Sequence, residues 1–322
     1  MPACMSHWIF AQQALRVLEY RDWARADIII AGSQGTDPFF FCGKRPWIPR
    51  PTSAQIVHER HFATRMHERH PSALFAPLLD NARDQETLSL AFGFLLHWHL
   101  DRHIHPYVFS RSGFDASGGL SPPWNIEHTR FEFALDTVLV REYRQKFPAA
   151  RIPRPWACFA LSRNTRTALS AWLASVFPGE TGKTTYREGL EDYAGILQVL
   201  DDRSGIKYTL AGKTGLMNSY IGVLIHPLDV RAEDTEALLN RTRKEWPDPV
   251  TGAERSEGLL DIWNAAEKEL PRLVDLFERT RSGGYASCAG EWDAFYRNQN
   301  HDGCPPDGKM SFMRPVRLQS GI

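Results

Sequence analysis

Three side chains that can bind a metal ion, His97, Asp101 and His105, recur every four residues within an apolar stretch of the chain. Residues four apart lie on one face of an α-helix and drift only slowly around it. The apolar surroundings of Leu96 and Leu100 would not accept Asp101 without a partner, because burying an unpaired charge is costly. The spacing therefore predicts a helix whose ligand face converges on one metal ion or on two neighbouring ions.

A second pair of candidate ligands follows on the next predicted helix. His128 and Glu132 are also four residues apart, and Asp136 lies one turn further. Imidazole nitrogens and carboxylate oxygens at this spacing suit zinc. A lone helical histidine is more often structural or solvated, but eight of the twelve histidines fall between His58 and His105. This concentration favours a metal centre.

The composition argues against several other classes of protein. The 322 residues contain 38 Lys and Arg and 38 Asp and Glu, so the charge gives no reason to expect a stable nucleic-acid complex. Five scattered cysteines without a CxxC pair argue against a disulfide framework or a cysteine zinc site, and they indicate a cytoplasmic protein. We find no signal peptide and no apolar run long enough to form a transmembrane segment.

Apolar residues recur mostly at helical spacing, which predicts an all-α fold. Ser6 is predicted to cap the first helix, and Pro106 to end the helix that carries His105 and to turn this ligand inward. The run at residues 28–32 fits either a strand or a helix end. Helices are predicted at residues 6–20, 53–70, 85–103, 125–145, 162–176, 186–200, 232–244 and 256–281, with loops at 35–51 and 111–123 and an irregular tail from residue 303.

The length allows one large domain or two ordinary ones. We expect residues 1–150 to form a metal-binding helical core that holds most of the ligands. Residues 151–322 are expected to add further helices to the same domain, because no long polar linker separates the two halves.

The order of several motifs resembles that of the zinc-dependent phospholipase C-like family. These motifs are Ser6-His7, Gly35-Thr36-Asp37-Pro38-Phe39-Phe40-Phe41, Met66-His67, the run from His97 to Tyr107, and the pair His128 and Glu132. The family also contains nucleases of fungi and plants that are specific for single strands. The resemblance covers about the first half of the chain, and it implies a multi-helix bundle with a central metal-binding cleft.

The resemblance also implies two or three zinc ions and a set of ligands for each. The first ion would be bound by Asp37, His67, His97 and Asp101, and the second by His105, His128 and Glu132. A third would be bound by His7, with Asp101 bridging to the first ion. In the mature family members the N-terminal residue also binds this third ion. Asp37 would in addition act as a catalytic residue that orients or deprotonates the attacking water.

By this resemblance the chain would be a zinc-dependent hydrolase of phosphoesters, acting on a phospholipid head group or a related phosphodiester. A nuclease-like phosphodiesterase is a variant of this reading. The alternative from a different class is a non-catalytic helical domain with structural zinc ions.

Other candidates are weaker. A phosphohydrolase centred on the adjacent His301 and Asp302 is disfavoured, because this pair starts the irregular tail. The segment 179–184 resembles the end of a phosphate-binding loop, but Phe177 stands where the first glycine is needed. The other histidines between His58 and His105 are expected to be partners of ligands or solvated; they are His58, His61, His70, His99 and His103. Of these, His61 is a rival to His67 as a ligand.

Overall fold

The computed structural model of the chain describes residues 4–19, 21–44, 54–112, 124–148, 151–219, 221–316 and 318. Within these ranges the fold is all-α, as predicted, with twelve α-helices and one short antiparallel hairpin. No helix in the same ranges is long and apolar enough to cross a membrane. The helices are α1 (Cys4–Leu18), α2 (Ala26–Gly32), α3 (Ala54–Glu68), α4 (Ser72–Asn81), α5 (Gln85–Ser112), α6 (Trp124–Lys146), α7 (Arg163–Val176), α8 (Thr185–Leu200), α9 (Ile206–Lys213), α10 (Ala232–Leu239), α11 (Leu259–Gly283) and α12 (Tyr285–Tyr296). The strands are β1 (Trp246–Pro247) and β2 (Glu254–Arg255), and short 3-10 helices lie at Asp37–Phe41, Pro155–Phe159, Leu216–Asn218 and Gly222–Leu224.

The core is built around α5. This helix has 28 residues and a length of about 42 Å. Every residue from Thr87 to Arg111 except His103 is buried, as expected of a helix that is surrounded by others. Helices α1, α2, α4, α6 and α11 pack against it. The main hydrophobic core contains residues of both halves of the chain, whereas the assignment of residues 1–150 and 151–322 to one domain stays a prediction.

The prediction that Pro106 ends this helix was wrong, because α5 continues to Ser112. A proline inside a helix removes one backbone hydrogen bond and costs about 3 kcal/mol. Beyond it, Tyr107 and Val108 are completely buried, and the Tyr107 hydroxyl donates to the carbonyl oxygen of Leu238 at 2.8 Å. Tertiary packing of the following turn offsets the local cost.

Several predicted boundaries also differ from the structure. Helix α1 begins at Cys4, so Ser6 lies in its first turn and does not cap it. Helix α10 ends at Leu239 and not near residue 244, because Asn240 adopts a left-handed conformation with φ 50°. The run at residues 28–32 is helical, and the predicted loop at 35–51 contains the 3-10 helix at Asp37–Phe41. Helices α4, α9 and α12 were not predicted. Residues 113–123 of the second predicted loop lie outside the described residues.

Helices α5 and α2 approach each other closely where Gly93 of α5 meets Gly32 of α2. A Cβ atom added to Gly93 would lie 2.6 Å from the carbonyl carbon of Gly32 and 2.8 Å from the carbonyl oxygen of Ile29. Both neighbours are backbone atoms, which cannot rotate away. Helix α2 leads directly into the segment that carries Asp37, so this contact sets the distance between that segment and α5.

We predict that Gly93→Ala destabilises the protein by about 1–3 kcal/mol, because overpacking forces the two helices apart. Gly290→Ala in α12 is the matched control. A Cβ at Gly290 meets no atom within 4 Å, so alanine should stabilise that helix by up to about 1 kcal/mol. Denaturant unfolding of both variants measures the difference, and equal effects would contradict the close packing.

Candidate metal centre

Five candidate ligands meet beside the middle of α5, and we call them the first cluster. Helix α1 contributes His7, the turn at Asp37–Phe41 contributes Asp37, α3 contributes His67, and α5 contributes His97 and Asp101. None of the five residues is more than 6% exposed. Their donor atoms form two overlapping groups that share His97, and within each group the atoms lie within 4.8 Å of one another.

The donor atoms of the first cluster are spaced like the ligand atoms of a metal ion. His97 Nε2 is 3.1 Å from Asp101 Oδ2 and 3.4 Å from Asp37 Oδ1. His67 Nε2 is also 3.4 Å from Asp37 Oδ1, and His7 Nε2 is 3.3 Å from Asp101 Oδ1. A tetrahedral zinc ion with bonds of about 2.0–2.1 Å keeps its ligand atoms about 3.3 Å apart. The residues can therefore surround an ion without a large rearrangement.

These donor atoms do not form hydrogen bonds with one another in spite of their short separations. Among the described residues, the Nε2 atoms of His7, His67 and His97, Asp37 Oδ1 and both carboxylate oxygens of Asp101 have no hydrogen-bond partner. Buried polar atoms are rarely left unsatisfied, because they have lost their water. A metal ion that accepts their lone pairs would satisfy this whole set, so the residues present fit such an ion.

Backbone carbonyls fix the orientation of the His97 and His67 rings by binding Nδ1, the ring nitrogen that does not face the other ligands. His97 Nδ1 donates to the carbonyl oxygen of Ser33 at 3.1 Å, and His67 Nδ1 donates to that of Ala63 at 2.8 Å. A carbonyl only accepts, so Nδ1 carries the proton and Nε2 keeps a lone pair for a metal ion. Gly35, with φ 55°, allows this arrangement, because a Cβ there would lie 2.2 Å from the His97 ring.

The second cluster consists of His105 on α5 and of His128 and Glu132 on α6. His128 Nε2 is 2.9 Å from Glu132 Oε1, and His105 Nε2 is 3.8 Å from the same oxygen. His105 Nδ1 donates to the backbone carbonyl of His301 at 2.7 Å, which leaves Nε2 as the metal-binding nitrogen. Asp101 Oδ1 is 3.9 Å from His105 Nε2, so the Asp101 carboxylate reaches both clusters. The structure thus brings together all eight residues that the sequence singled out.

Burial sets the ionisation of the site. It lowers the pKa of His7 to about 4 and holds the pKa of His105 well below its ordinary value. Both rings are therefore neutral, which is the form that binds metal ions. Burial also raises the pKa of Asp101 to about 7, because a carboxylate is poorly stabilised there without a nearby cation. A metal ion beside Asp101 would supply that cation.

The sequence left His61 as a rival to His67, and the structure places the two side chains in different surroundings. His61 is exposed, whereas His67 is buried in the first cluster. His58 is exposed as well, and its Nε2 lies 3.1 Å from the carbonyl oxygen of Gly179. His70 is half-buried with Nδ1 2.7 Å from the hydroxyl of Ser72.

His99 and His103 lie on the other side of α5 beside Glu269. The Glu269 carboxylate already pairs with Arg102 at 2.5 Å and with Arg297 at 2.7 Å. His99 Nε2 is 2.9 Å from the carbonyl oxygen of residue 266. Because these groups have partners that satisfy their charge and hydrogen bonds, we regard this cluster as structural.

Sequence reasoning set aside two residues that the structure places at the site, His301 and Asp302. The His301 ring centroid is 4.4 Å from that of His67 and 5.7 Å from that of His97. Asp302 Oδ1 is 3.5 Å from His105 Nδ1. The adjacent His-Asp pair was the available signal, and it was discounted because the surrounding tail has no periodic pattern.

Asp136 on α6 acts on the site through α1. Its carboxylate accepts hydrogen bonds from the backbone N–H groups of Met5 at 2.9 Å and Ser6 at 2.8 Å, and from the Ser6 hydroxyl at 2.5 Å. It also lies 3.0 Å from Nε2 of His226. A negative charge stabilises the N-terminal turn of a helix. Asp136 therefore fixes the start of α1 and with it the position of His7, the next residue.

The proposed contribution of the N-terminal residue to a third ion lies outside the described residues, because these begin at Cys4. No protein-family model, curated protein or solved structure matches the chain.

We predict that a chelator lowers the melting temperature of metal-loaded protein. An ion that binds only the native state stabilises it by about 2.7 kcal/mol at a concentration 100-fold above its dissociation constant. Each kcal/mol corresponds to about 2–4 °C in chains of 150–250 residues and to less in a longer chain such as this one. Calorimetry with and without chelator, on protein of known metal content, provides the measurement. Identical melting temperatures would exclude a stabilising metal centre.

We also predict that Asp136→Asn destabilises the protein by about 1–3 kcal/mol, because the amide cannot accept from all the donors at the start of α1. Asp229→Asn is the control. Asp229 is largely exposed and pairs with Arg141 at the surface, so its change should stay within about 0.5 kcal/mol. Thermal unfolding compares the two variants, and a neutral effect at Asp136 would show that α1 is held by other contacts.

Proposed function

We propose that the chain is a zinc-dependent phosphoric ester hydrolase of the phospholipase C-like type, with a metal centre formed by the two clusters. The observation that carries the proposal is the position of Asp101. Its carboxylate lies within 4.0 Å of histidine nitrogens from both clusters, so it can bridge ions held side by side. A pair of neighbouring ions is the arrangement that many phosphoesterases use to activate water and stabilise a leaving oxygen.

The donor set supports zinc. All eight candidate ligands are imidazole nitrogens or carboxylate oxygens, which zinc binds readily. The first cluster has enough donors for one ion and part of another, and the second cluster has three. We therefore propose two ions, and a third at His7 if a further ligand completes that site.

Zinc ions bound at the clusters would make two contributions. They would supply a bound water of lowered pKa, and they would supply positive charge to stabilise the phosphoryl oxygens. Asp37 is the residue proposed to accept a hydrogen bond from the attacking water and so to orient it or take its proton. His67 and His97 hold the Asp37 carboxylate on one side at 3.4 Å. The burial of these three side chains keeps bulk water away from the reacting atoms.

For the substrate we propose a phosphodiester or phosphomonoester, with a phospholipid head group as the first class to test and a single-stranded nucleic acid as the second. The equal numbers of basic and acidic residues give no support to a stable nucleic-acid complex. None of the five cysteines, all of which are described, forms a disulfide, and this supports a reducing cytoplasmic environment.

A structural zinc site is the second candidate, and the low exposure of both clusters favours it, because structural sites are usually closed. Such sites usually have four ligands that surround one ion. Here ring nitrogens of four histidines lie within 4.0 Å of the Asp101 carboxylate, which suits several ions that share a carboxylate. We therefore prefer the catalytic proposal.

We predict that His97→Ala and Glu132→Ala each reduce hydrolysis of a chromogenic phosphodiester by at least about 100-fold. Loss of a group that merely supports a ligand already costs about 10–100-fold in many metal enzymes. Each variant should also bind fewer zinc ions per chain, measured by elemental analysis.

His103→Ala is the control for these variants. His103 lies on the same helix as His97, but its ring lies beside Glu269 and away from both clusters. It should keep the activity and the zinc content of the unmodified protein. Activity that survives both cluster variants would show that the centre is not catalytic.

A further inference from the structure

Residues 300–304, which we call the tail loop, approach the metal centre from the C-terminal half of the chain. The loop has a defined internal structure. Asn300 Oδ1 accepts hydrogen bonds from the backbone N–H groups of Asp302 at 2.9 Å and Cys304 at 3.3 Å. The N–H of Asn300 in turn donates to the carbonyl oxygen of Cys304 at 2.9 Å. These bonds hold the intervening residues in one conformation.

The tail loop is tied to one candidate ligand of each cluster. The backbone N–H of His301 donates to the carbonyl oxygen of His67 at 3.3 Å. The carbonyl oxygen of His301 accepts from His105 Nδ1 at 2.7 Å. The backbone of His301 therefore fixes the position of this residue relative to both clusters.

Gly303 allows the loop to come this close to α5. Its φ of 72° is left-handed, and an added Cβ would lie 2.4 Å from the carbonyl oxygen of Arg102 and 2.6 Å from Cγ of Pro106. A glycine is needed here both for conformation and for space. Without it the loop would move outward and take the His301 ring with it.

The His301 side chain has no evident structural use. The residue is 1% exposed, and neither of its ring nitrogens has a hydrogen-bond partner within the described part of the chain. An imidazole always has at least one N–H donor, and a buried donor without an acceptor is costly. The ring lies against that of His67, with centroids 4.4 Å apart. The ring N–H of His301 is therefore a hydrogen-bond donor without an acceptor at the edge of the first cluster.

The spacing of the donor atoms gives no support to a metal-ligand role for this side chain. Neither nitrogen of His301 belongs to the groups of donor atoms that lie within 4.8 Å of one another. The first cluster already has four donors besides His7. The ring instead lies beside two of the candidate ligands, 4.4 Å from the ring of His67 and 5.7 Å from that of His97 between centroids. Asp302, the next residue, has a side chain that is one quarter exposed, so the surface is only one residue away.

We propose that His301 is a substrate-binding residue, whose ring N–H donates a hydrogen bond to an oxygen of a tetrahedral oxyanion, phosphate or phosphoester, held at the first cluster. The choice of a phosphate or phosphoester as the ligand rests on the proposed function. The hydrogen bond itself rests on the buried, unused donor and on the anchored loop.

The test is the binding of inorganic phosphate to the full-length, zinc-loaded protein, measured by isothermal titration calorimetry. His301→Phe fills the space but has no N–H, and it should weaken phosphate binding by at least about tenfold, as expected for loss of a hydrogen bond to a charged group. His301→Gln restores a donor and should recover part of the affinity. His103→Phe makes the same chemical change outside the site and should leave the affinity unchanged.

Zinc content and melting temperature are measured on every variant. Equal phosphate affinity in His301→Phe and the unmodified protein overturns the proposal, and so does a loss of zinc in both His301 variants, which would make His301 a ligand. Should His301→Phe fail to fold, His301→Leu replaces it, with the same expected loss.

The two proposals can fail separately. If phosphate binding depends on His301 but no phosphoester is hydrolysed, the proposed hydrolase function fails and the binding role of His301 stands. If hydrolysis is efficient while phosphate affinity and KM are the same in His301→Phe, the hydrolase stands and the role of His301 is wrong.

Discussion

Asp101 is completely buried at the centre of α5, and ring nitrogens of His7, His67, His97 and His105 lie within 4.0 Å of its carboxylate. These rings come from three different helices. A carboxylate in such a place is stable only beside positive charge, because it has lost its water. A cation bound at Asp101 would therefore also hold α1, α3 and α5 together, and the rest of the site is built outward from this residue.

Local periodicity was sufficient to predict which of the candidate ligands share a helix face. The spacing of His97, Asp101 and His105 fixes their common face whatever surrounds α5, and the same holds for His128 and Glu132 on α6. The order of the motifs added His7, Asp37 and His67, and the structure places all three beside α5. The all-α fold followed from the same helical pattern.

The features that sequence reasoning missed depend on contacts between distant parts of the chain. Pro106 does not end α5, because buried residues beyond it hold the helix in place. Ser6 looked like a cap, but Asp136, 130 residues away, takes that role. His301 lies in a segment without a periodic pattern, so only the packing of the tail loop against α5 shows that it lies beside the two clusters.

The hydrogen bond between His105 and the carbonyl of His301 joins residues that are 196 positions apart. During synthesis on the ribosome, which proceeds from the N-terminus at about 5–20 residues per second, His105 emerges well before its acceptor. For at least about 10 seconds the His105 ring therefore lacks the carbonyl that fixes its tautomer. If the second cluster binds zinc as proposed, an ion that arrived in this interval would meet an incomplete site, and tight loading would await the last part of the chain.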